Sequence, residues 1–266
     1  MYEQYWGLSM LPFQNVPDPS FYFPSEMHQQ ALKQLLYAVE HGKGAGMLTG
    51  EIGCGKTTAI RAFMDHLPAA KYDIALITHP DLPRDDFLQE INIQFGIKEP
   101  GRTRGRAWKA LTSHCSNNLT AEVKTILIVD EAQSIHDNDV FEELRQILNL
   151  QLNDRFLMTL ILVGQSELVD RIGRNRQLDQ RIAIRYHMGP LDSMETQKYM
   201  QHRLQVTGSK REIFSPEALQ LIWQYSRGVP RSINNVADLC LLHGFEAQQS
   251  IIDGPMARKA ASELSV

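Results

Sequence analysis

Unbroken apolar runs and helix-period stretches take turns along the first 190 positions of the chain. The runs at 46–49, 74–78, 125–130, 157–164 and 182–188 read as strands, and several are apolar at almost every position. A strand covered on both faces loses the usual polar alternation, so such runs point to central strands of a parallel sheet. Strands separated by helix-length segments imply a doubly wound α/β sheet, here with five parallel strands. After Pro190 the strand signal stops. Residues 196–206, 216–225, 232–248 and 255–264 carry helical patterns, and Ser215-Pro216-Glu217 sets an N-cap serine before a proline at the first helical position. The pattern divides the chain into an α/β domain at 1–190 and a small helical domain at 191–266.

Residues 1–25 fit neither pattern. Pro12, Pro17, Pro19 and Pro24 forbid a helix there, and the aromatic residues among them need a surface to pack on. An extended arm lying on the α/β domain is expected. From Ser25-Glu26 onward, Ala31, Leu32, Leu35, Leu36 and Val39 share one helical face, which ends at Gly42.

Composition narrows the class. A chain of 266 residues buries roughly 70% of its unfolded surface and needs no staples. Cys54, Cys115 and Cys240 are far apart and lack metal-ligand spacing, which argues against a disulfide framework or a zinc site and fits a reducing compartment. No basic region followed by an apolar run opens the sequence, so no signal peptide is expected. The most apolar stretch, 156–164, is too short to span a bilayer, so no transmembrane segment is expected either. A cytoplasmic location follows, with a peripheral position at the inner membrane open through a partner. The net charge of −4 excludes a chain that is basic throughout and leaves room for a local basic patch.

The chemistry is concentrated in a few segments. Gly50-Glu51-Ile52-Gly53-Cys54-Gly55-Lys56-Thr57 holds every required residue of the Walker A pattern, between an expected strand and an expected helix. Glycines let backbone N–H groups curl around phosphates, and the helix start adds its positive dipole end. Gly50 through Thr58 are therefore the expected nucleotide-binding set, with Lys56 on the β- and γ-phosphates and Thr57 on Mg²⁺. Cys54 reads as a filler, with a thiol switch as the alternative. Ile126-Leu-Ile-Val-Asp130-Glu131 matches Walker B. Asp130 is expected in the Mg²⁺ shell and Glu131 beside the attacking water. Two carboxylates next to a phosphate would repel it without a metal, so ATP and Mg²⁺ are the implied ligands. Gln165 ends another apolar run, either as a contact to water or γ-phosphate or as a plain strand-end cap. Arg171, Arg174, Arg176, Arg181 and Arg185 cluster before and on the last strand. Arg181 is the favoured arginine finger, with Arg176 and Arg185 behind it, against a solvated basic face. Arg231 opens a helix after Gly228-Val-Pro, where a cation is unfavourable unless an anion is near. It is expected to meet a phosphate.

Together the Walker A segment, Asp130-Glu131-Ala-Gln, Gly164-Gln165-Ser-Glu-Leu, Gln180-Arg181-Ile-Ala-Ile-Arg185-Tyr-His and Gly228-Val-Pro-Arg231 resemble the ExeA/GspA-type AAA+ ATPases. The opening Tyr5-Trp-Gly-Leu, Pro12-Phe13 and Pro17-Asp-Pro-Ser-Phe-Tyr-Phe resemble that family's N-terminal arm, so the likeness covers essentially the whole chain. The resemblance implies an AAA+ P-loop module with a helical lid, ATP at its cleft and at subunit interfaces, a homo-oligomeric ring or filament, and a role in assembling secretion or pilus machinery of the bacterial envelope. Secretion members of the family continue into a transmembrane helix and a peptidoglycan-binding domain, which this sequence lacks. A stand-alone relative, a fragment and a protein with another task all stay open. The fold is also similar to that of transposition regulators of the MuB/TnsC type, which act on DNA. One segment favours that second reading: Lys98, Arg102, Arg104, Arg106 and Lys109 stand within twelve residues that hold one acid, Glu99. They are candidate DNA contacts, against a solvated turn. A metabolic kinase is disfavoured by Glu131 and by the Gly-Val-Pro-Arg231 segment.

Overall fold

The computed structural model describes residues 2–16, 18–152 and 155–264; Met1, Pro17, Asn153, Asp154, Ser265 and Val266 lie outside it. In chain order the elements begin with α1 (Glu3–Trp6), α2 (Glu26–Glu40), β1 (Ala45–Gly50) and α3 (Lys56–Asp65). Next come β2 (Tyr72–Ile77), α4 (Arg84–Gln94), α5 (Arg104–Thr120), β3 (Lys124–Val129) and α6 (Asn138–Ile147). A short antiparallel pair follows, β4 (Gln151–Leu152) and β5 (Arg155–Phe156), then β6 (Met158–Gly164), α7 (Glu167–Arg174), α8 (Arg176–Asp179) and β7 (Ile182–Met188). The chain finishes with α9 (Ser193–Val206), α10 (Pro216–Ser226), α11 (Pro230–Glu246) and α12 (Gly254–Glu263).

Two compact units result. One comprises Gln29–Glu51 and Ala59–Met188; the other comprises Met1–His28, Ile52–Thr58 and Gly189–Val266. The first is the doubly wound α/β unit expected from the sequence. Its five parallel strands run in the order β2-β3-β6-β1-β7. Alternate residues of the apolar runs feed two different cores. Leu127, Val129, Leu160 and Leu162 pack with Phe87, Leu88, Ile91, Leu111 and Leu144 on one face. Ile126, Ile128, Ile161 and Val163 pack with Leu35, Ile60 and Phe63 on the other. The period of two is therefore present but apolar in both phases, which is why the runs show no alternation. Register sets the ends: Thr49 pairs with Gly164, and Val129 with Leu162, so the segments leaving β1, β6 and β3 emerge at one edge of the sheet. In open α/β sheets that carboxyl edge is where ligand sites form.

The second unit holds the four C-terminal helices. Ser215 caps α10 by accepting the Ala218 N–H at 3.1 Å, as its sequence position implied. The N-terminal arm belongs to this unit: Tyr2, Trp6, Leu8 and Phe13 share a core with Tyr199, Ile222, Ile233 and Leu241. Trp6 Nε1 donates to the Leu241 carbonyl at 2.9 Å, and Arg203 donates to the Pro12 and Gln14 carbonyls. Two expectations are corrected here. The arm was expected to lie on the α/β domain, whereas its aromatics find their apolar partners among the C-terminal helices. It is also not wholly extended, because α1 forms ahead of the first proline and a 3-10 turn spans Pro19–Phe21. No helix among the described residues is long and apolar enough to cross a membrane.

Candidate functional site

The segment between β1 and α3 is shaped by its glycines. Gly53 and Gly55 have φ of 82° and 90°, a region that side chains disfavour. Space is also lacking: a Cβ on Gly53 would lie 2.7 Å from Arg231 Cβ, and one on Gly55 would lie 2.7 Å from His28 Nε2. Gly50 runs close to the backbone of β7, where a Cβ would sit 2.4 Å from the Met188 carbonyl oxygen. Glu51 and Ile52 are exposed at the crest of the loop. Lys56 is 6% exposed at the start of α3, with Thr57 and Thr58 half-buried in the same turn. That turn carries no acidic residue, and the start of a helix favours negative charge nearby. Cys54 is buried, which suits packing and denies a thiol switch its access. Cys115 and Cys240 are buried too, and burial pushes both thiols up to about 12.

Arg231 stands next to this loop. It is the second residue of α11, after Pro230, and its backbone N–H donates to the Gly53 carbonyl at 3.3 Å. Its side chain is exposed.

His28 was not legible as a site residue. It lies buried against the loop, with Nδ1 2.7 Å from Ser25 Oγ. Burial pushes its pKa down to about 4, opposed by a hydrogen bond to the Gly55 backbone. A donor to that carbonyl makes the ring the Nε2–H tautomer, so Nδ1 accepts from the Ser25 hydroxyl. The only trace in the sequence is a serine three residues before a histidine at a helix start. Because the folded pKa lies below the unfolded value of about 6.5, the unfolded chain binds more protons between the two values. Stability from neutral His28 is thus complete above pH 6.5 and lost as pH falls toward 4. Relative to His28→Gln, the unaltered protein should lose about 2 kcal/mol more on going from pH 7 to pH 5. Urea unfolding at the two pH values measures this, and equal losses would show that the ring is not held neutral.

At the end of β3, Asp130 is 3% exposed and its Oδ1 accepts the Glu131 N–H at 2.8 Å. Its own N–H donates to the Ile77 carbonyl at 2.8 Å, which ties the end of β3 to the end of β2. Glu131 has φ of 52°, a left-handed conformation that costs a non-glycine residue about 1–3 kcal/mol. It heads a 3-10 turn at Ala132–Ser134. Within that turn Gln133 Nε2 donates to Glu131 Oε2 at 2.6 Å, and Gln133 Oε1 accepts the Gln165 N–H at 3.0 Å. Adjacency of β3 and β6 therefore brings Glu131 and Gln165 together through Gln133, the last residue of the Asp130-Glu131-Ala-Gln segment, for which no role was expected. Strained backbone of this kind gathers at functional sites.

The arginines separate. Arg181, just before β7, has no side-chain partner among the described residues. Arg185 pairs with Asp179 at 2.8 Å, and Arg171 donates to the Ile135 carbonyl. Arg174 and Arg176 line an open cleft with Arg145 and Glu142.

The basic segment separates as well. Lys98, Arg102, Arg106 and Lys109 line one open cleft of about 1060 Å³, and none of the four has a side-chain partner among the described residues. Arg104 departs from the expectation. It pairs with the fully buried Glu143 at 2.9 Å and donates to Gln146. Glu143 also holds Arg84 at 2.6 Å and the Trp108 ring N–H. A buried carboxylate needs such compensation, so Arg84, Arg104 and Trp108 tie α4, α5 and α6 together through Glu143 and are spent on the fold.

Among the described residues no three His, Cys, Asp or Glu side chains converge as a metal cage. Mg²⁺ rarely uses one. It is bound through one or two carboxylates with substrate phosphates and water, and the buried Asp130 is a donor of the kind it takes.

A sequence-family model described as an AAA domain matches residues 39–172. General secretion pathway protein A of Aeromonas hydrophila is 37% identical over 271 aligned positions, which take in all of this chain and 49% of that protein. The chain thus spans about half the length of the curated relative it matches. Among solved structures, the Aeropyrum pernix ORC2 protein in ADPNP–ADP complexes superposes with a TM-score of 0.69 at 18% identity, over 95% of this chain and 70% of that one. Drosophila ORC bound to DNA gives 0.70 at 17% identity, over 96% and 64%. The Thermotoga maritima RuvB Holliday junction branch migration motor gives 0.55 at 18% identity, over 89% and 69%. At such identities these likenesses establish the fold.

Proposed function

The chain belongs to the AAA domain family, and from that premise we propose that it binds ATP with Mg²⁺, hydrolyses it, and uses the cycle to assemble or remodel a protein complex of a bacterial secretion or pilus system. The observation that carries this reading is Glu131. A carboxylate held in a strained turn at a strand end, oriented by a neighbouring amide, suits a base better than a fold contact. Lys56 and the N–H groups of the first turn of α3 would hold the phosphates, while Thr57 and Asp130 would hold the metal. A Mg²⁺ held there would supply positive charge against the developing phosphate charge. Gln165 would hold the attacking water or the γ-phosphate, and Arg231, beside Gly53, would read the phosphate from the helical unit. Arg181 without a partner suits a finger that completes its contact only on a neighbouring subunit, hence a ring or filament. The relationship to general secretion pathway protein A favours a protein partner in the envelope, reached from the cytoplasm at the inner membrane.

A second reading, ATP-gated DNA binding as in transposition regulators, is favoured by one observation: the four cations that line the 98–109 cleft without a side-chain partner among the described residues. One experiment separates the two. The purified chain is given ATP or ADP, and assembly by light scattering and anisotropy of a labelled duplex are read across a salt series. Assembly with ATP and no duplex binding at low salt is the outcome expected for a protein-remodelling ATPase. Duplex binding that requires ATP and weakens with a log–log slope near −3.6, from four contacts at about −0.9 each, and that disappears in Arg102→Glu/Arg106→Glu, would install the DNA reading instead. Absence of any ATP-dependent assembly would remove the first.

A further inference from the structure

Gln133 touches both of the strand-end residues assigned to catalysis, and its amide orientation is forced. The Gln165 backbone N–H can only donate, so the Gln133 atom 3.0 Å from it is the oxygen. A carboxylate can only accept, so the Gln133 atom 2.6 Å from Glu131 Oε2 is the nitrogen. A flipped amide would set oxygen against carboxylate and N–H against N–H. The space is shaped for it too: a Cβ on Gly164 would lie 2.6 Å from Gln133 Oε1, so a side chain at 164 would push the amide away. One carboxylate oxygen of Glu131 is thus taken, while Oε1 has no partner among the described residues.

We propose that Gln133 is the positioning residue for Glu131. It clamps Oε2 so that Oε1 is presented as the base, and it ties that carboxylate to the backbone of Gln165 on the neighbouring strand. This rests on the proposed ATP hydrolysis. In that reaction a water proton passes to Glu131 Oε1 as the water oxygen bonds the γ-phosphorus. The bond from that phosphorus to the bridging oxygen breaks, leaving ADP and phosphate. Gln133 gives and takes no proton in this step. It removes the torsional freedom of a carboxylate that must meet one water in one direction, and misplacement by an ångström is enough to slow such a step.

The test pairs turnover with measurements that need no hydrolysis. Gln133→Ala should lower kcat by about 10- to 100-fold, with the Kd for a fluorescent ATP analogue unchanged. In nucleotide-free protein, the urea midpoints of Glu131→Ala, Gln133→Ala and the double variant should be non-additive, since the hydrogen bond can be lost only once. Wild-type kcat in Gln133→Ala, or additive midpoints, would overturn the clamp. So would loss of nucleotide binding in parallel with kcat, which marks general damage. Failure of the underlying reading looks different: Glu131→Gln would itself turn over at the wild-type rate. Loss in Glu131→Gln with Gln133→Ala unaffected sinks the clamp alone.

Discussion

Glu131→Gln binds ATP as tightly as the unaltered protein and releases phosphate at least about 100-fold more slowly. Substitution by glutamine keeps the side chain's length and an oxygen that can accept from Gln133 Nε2, so the hydrogen bond at 2.6 Å and the turn around it survive. What is lost is the ability to take a proton at neutral pH. General-base catalysis contributes about 10²- to 10⁴-fold, or roughly 3–5 kcal/mol of barrier. Lys56→Ala fails at the earlier step. It removes a cation that is 6% exposed at the head of a helix whose first turn carries no acid, and it should abolish nucleotide binding. Phosphate release with and without EDTA, beside titration of a fluorescent ATP analogue, reads both variants. Turnover in Glu131→Gln near the wild-type rate would withdraw Glu131 as the base, and tight ATP binding by Lys56→Ala would withdraw the phosphate role of the loop.

Much of this was legible because the signals are local. Residues 50–57 and 126–131 are contiguous motifs, and the central strands β3 and β6 are apolar on both faces, so their runs stand out without knowledge of their neighbours. The unread features all depend on contacts distant in sequence. Arg104 looks like one of five equivalent cations until Glu143, 39 residues away, claims it. Gln133 becomes a clamp only because β3 lies beside β6 and delivers the Gln165 N–H to it. His28 gains its meaning from Gly55, on the far side of β1 in the chain. The arm's aromatics announced that they needed a surface but not which one. The β4–β5 pair, two residues on each side, is too short to carry a period. Residue type gave the chemistry in each case, while partnership waited on topology.

Arg181→Ala should keep ATP and lose hydrolysis by about 10³-fold or more, the range for an arginine that stabilises the charge of phosphoryl transfer. The more telling result comes from mixing. In a head-to-tail assembly each site takes its loop from one subunit and its finger from the next. Arg181→Ala and Lys56→Ala are each dead alone, but an Arg181→Ala subunit followed by a Lys56→Ala subunit forms one site with both residues intact. Random 1:1 mixing makes about one interface in four of this kind, so activity should climb from near zero to about a quarter of the wild-type value. Arg185→Ala is the internal comparison. Its guanidinium already pairs with Asp179 at 2.8 Å, so its loss should disturb the segment before β7 without removing a free cation. Phosphate release against mixing ratio, with light scattering to follow the oligomer, measures all three. A mixture no more active than its two components, or a specific activity that does not change with protein concentration, would place Arg181 outside any shared site.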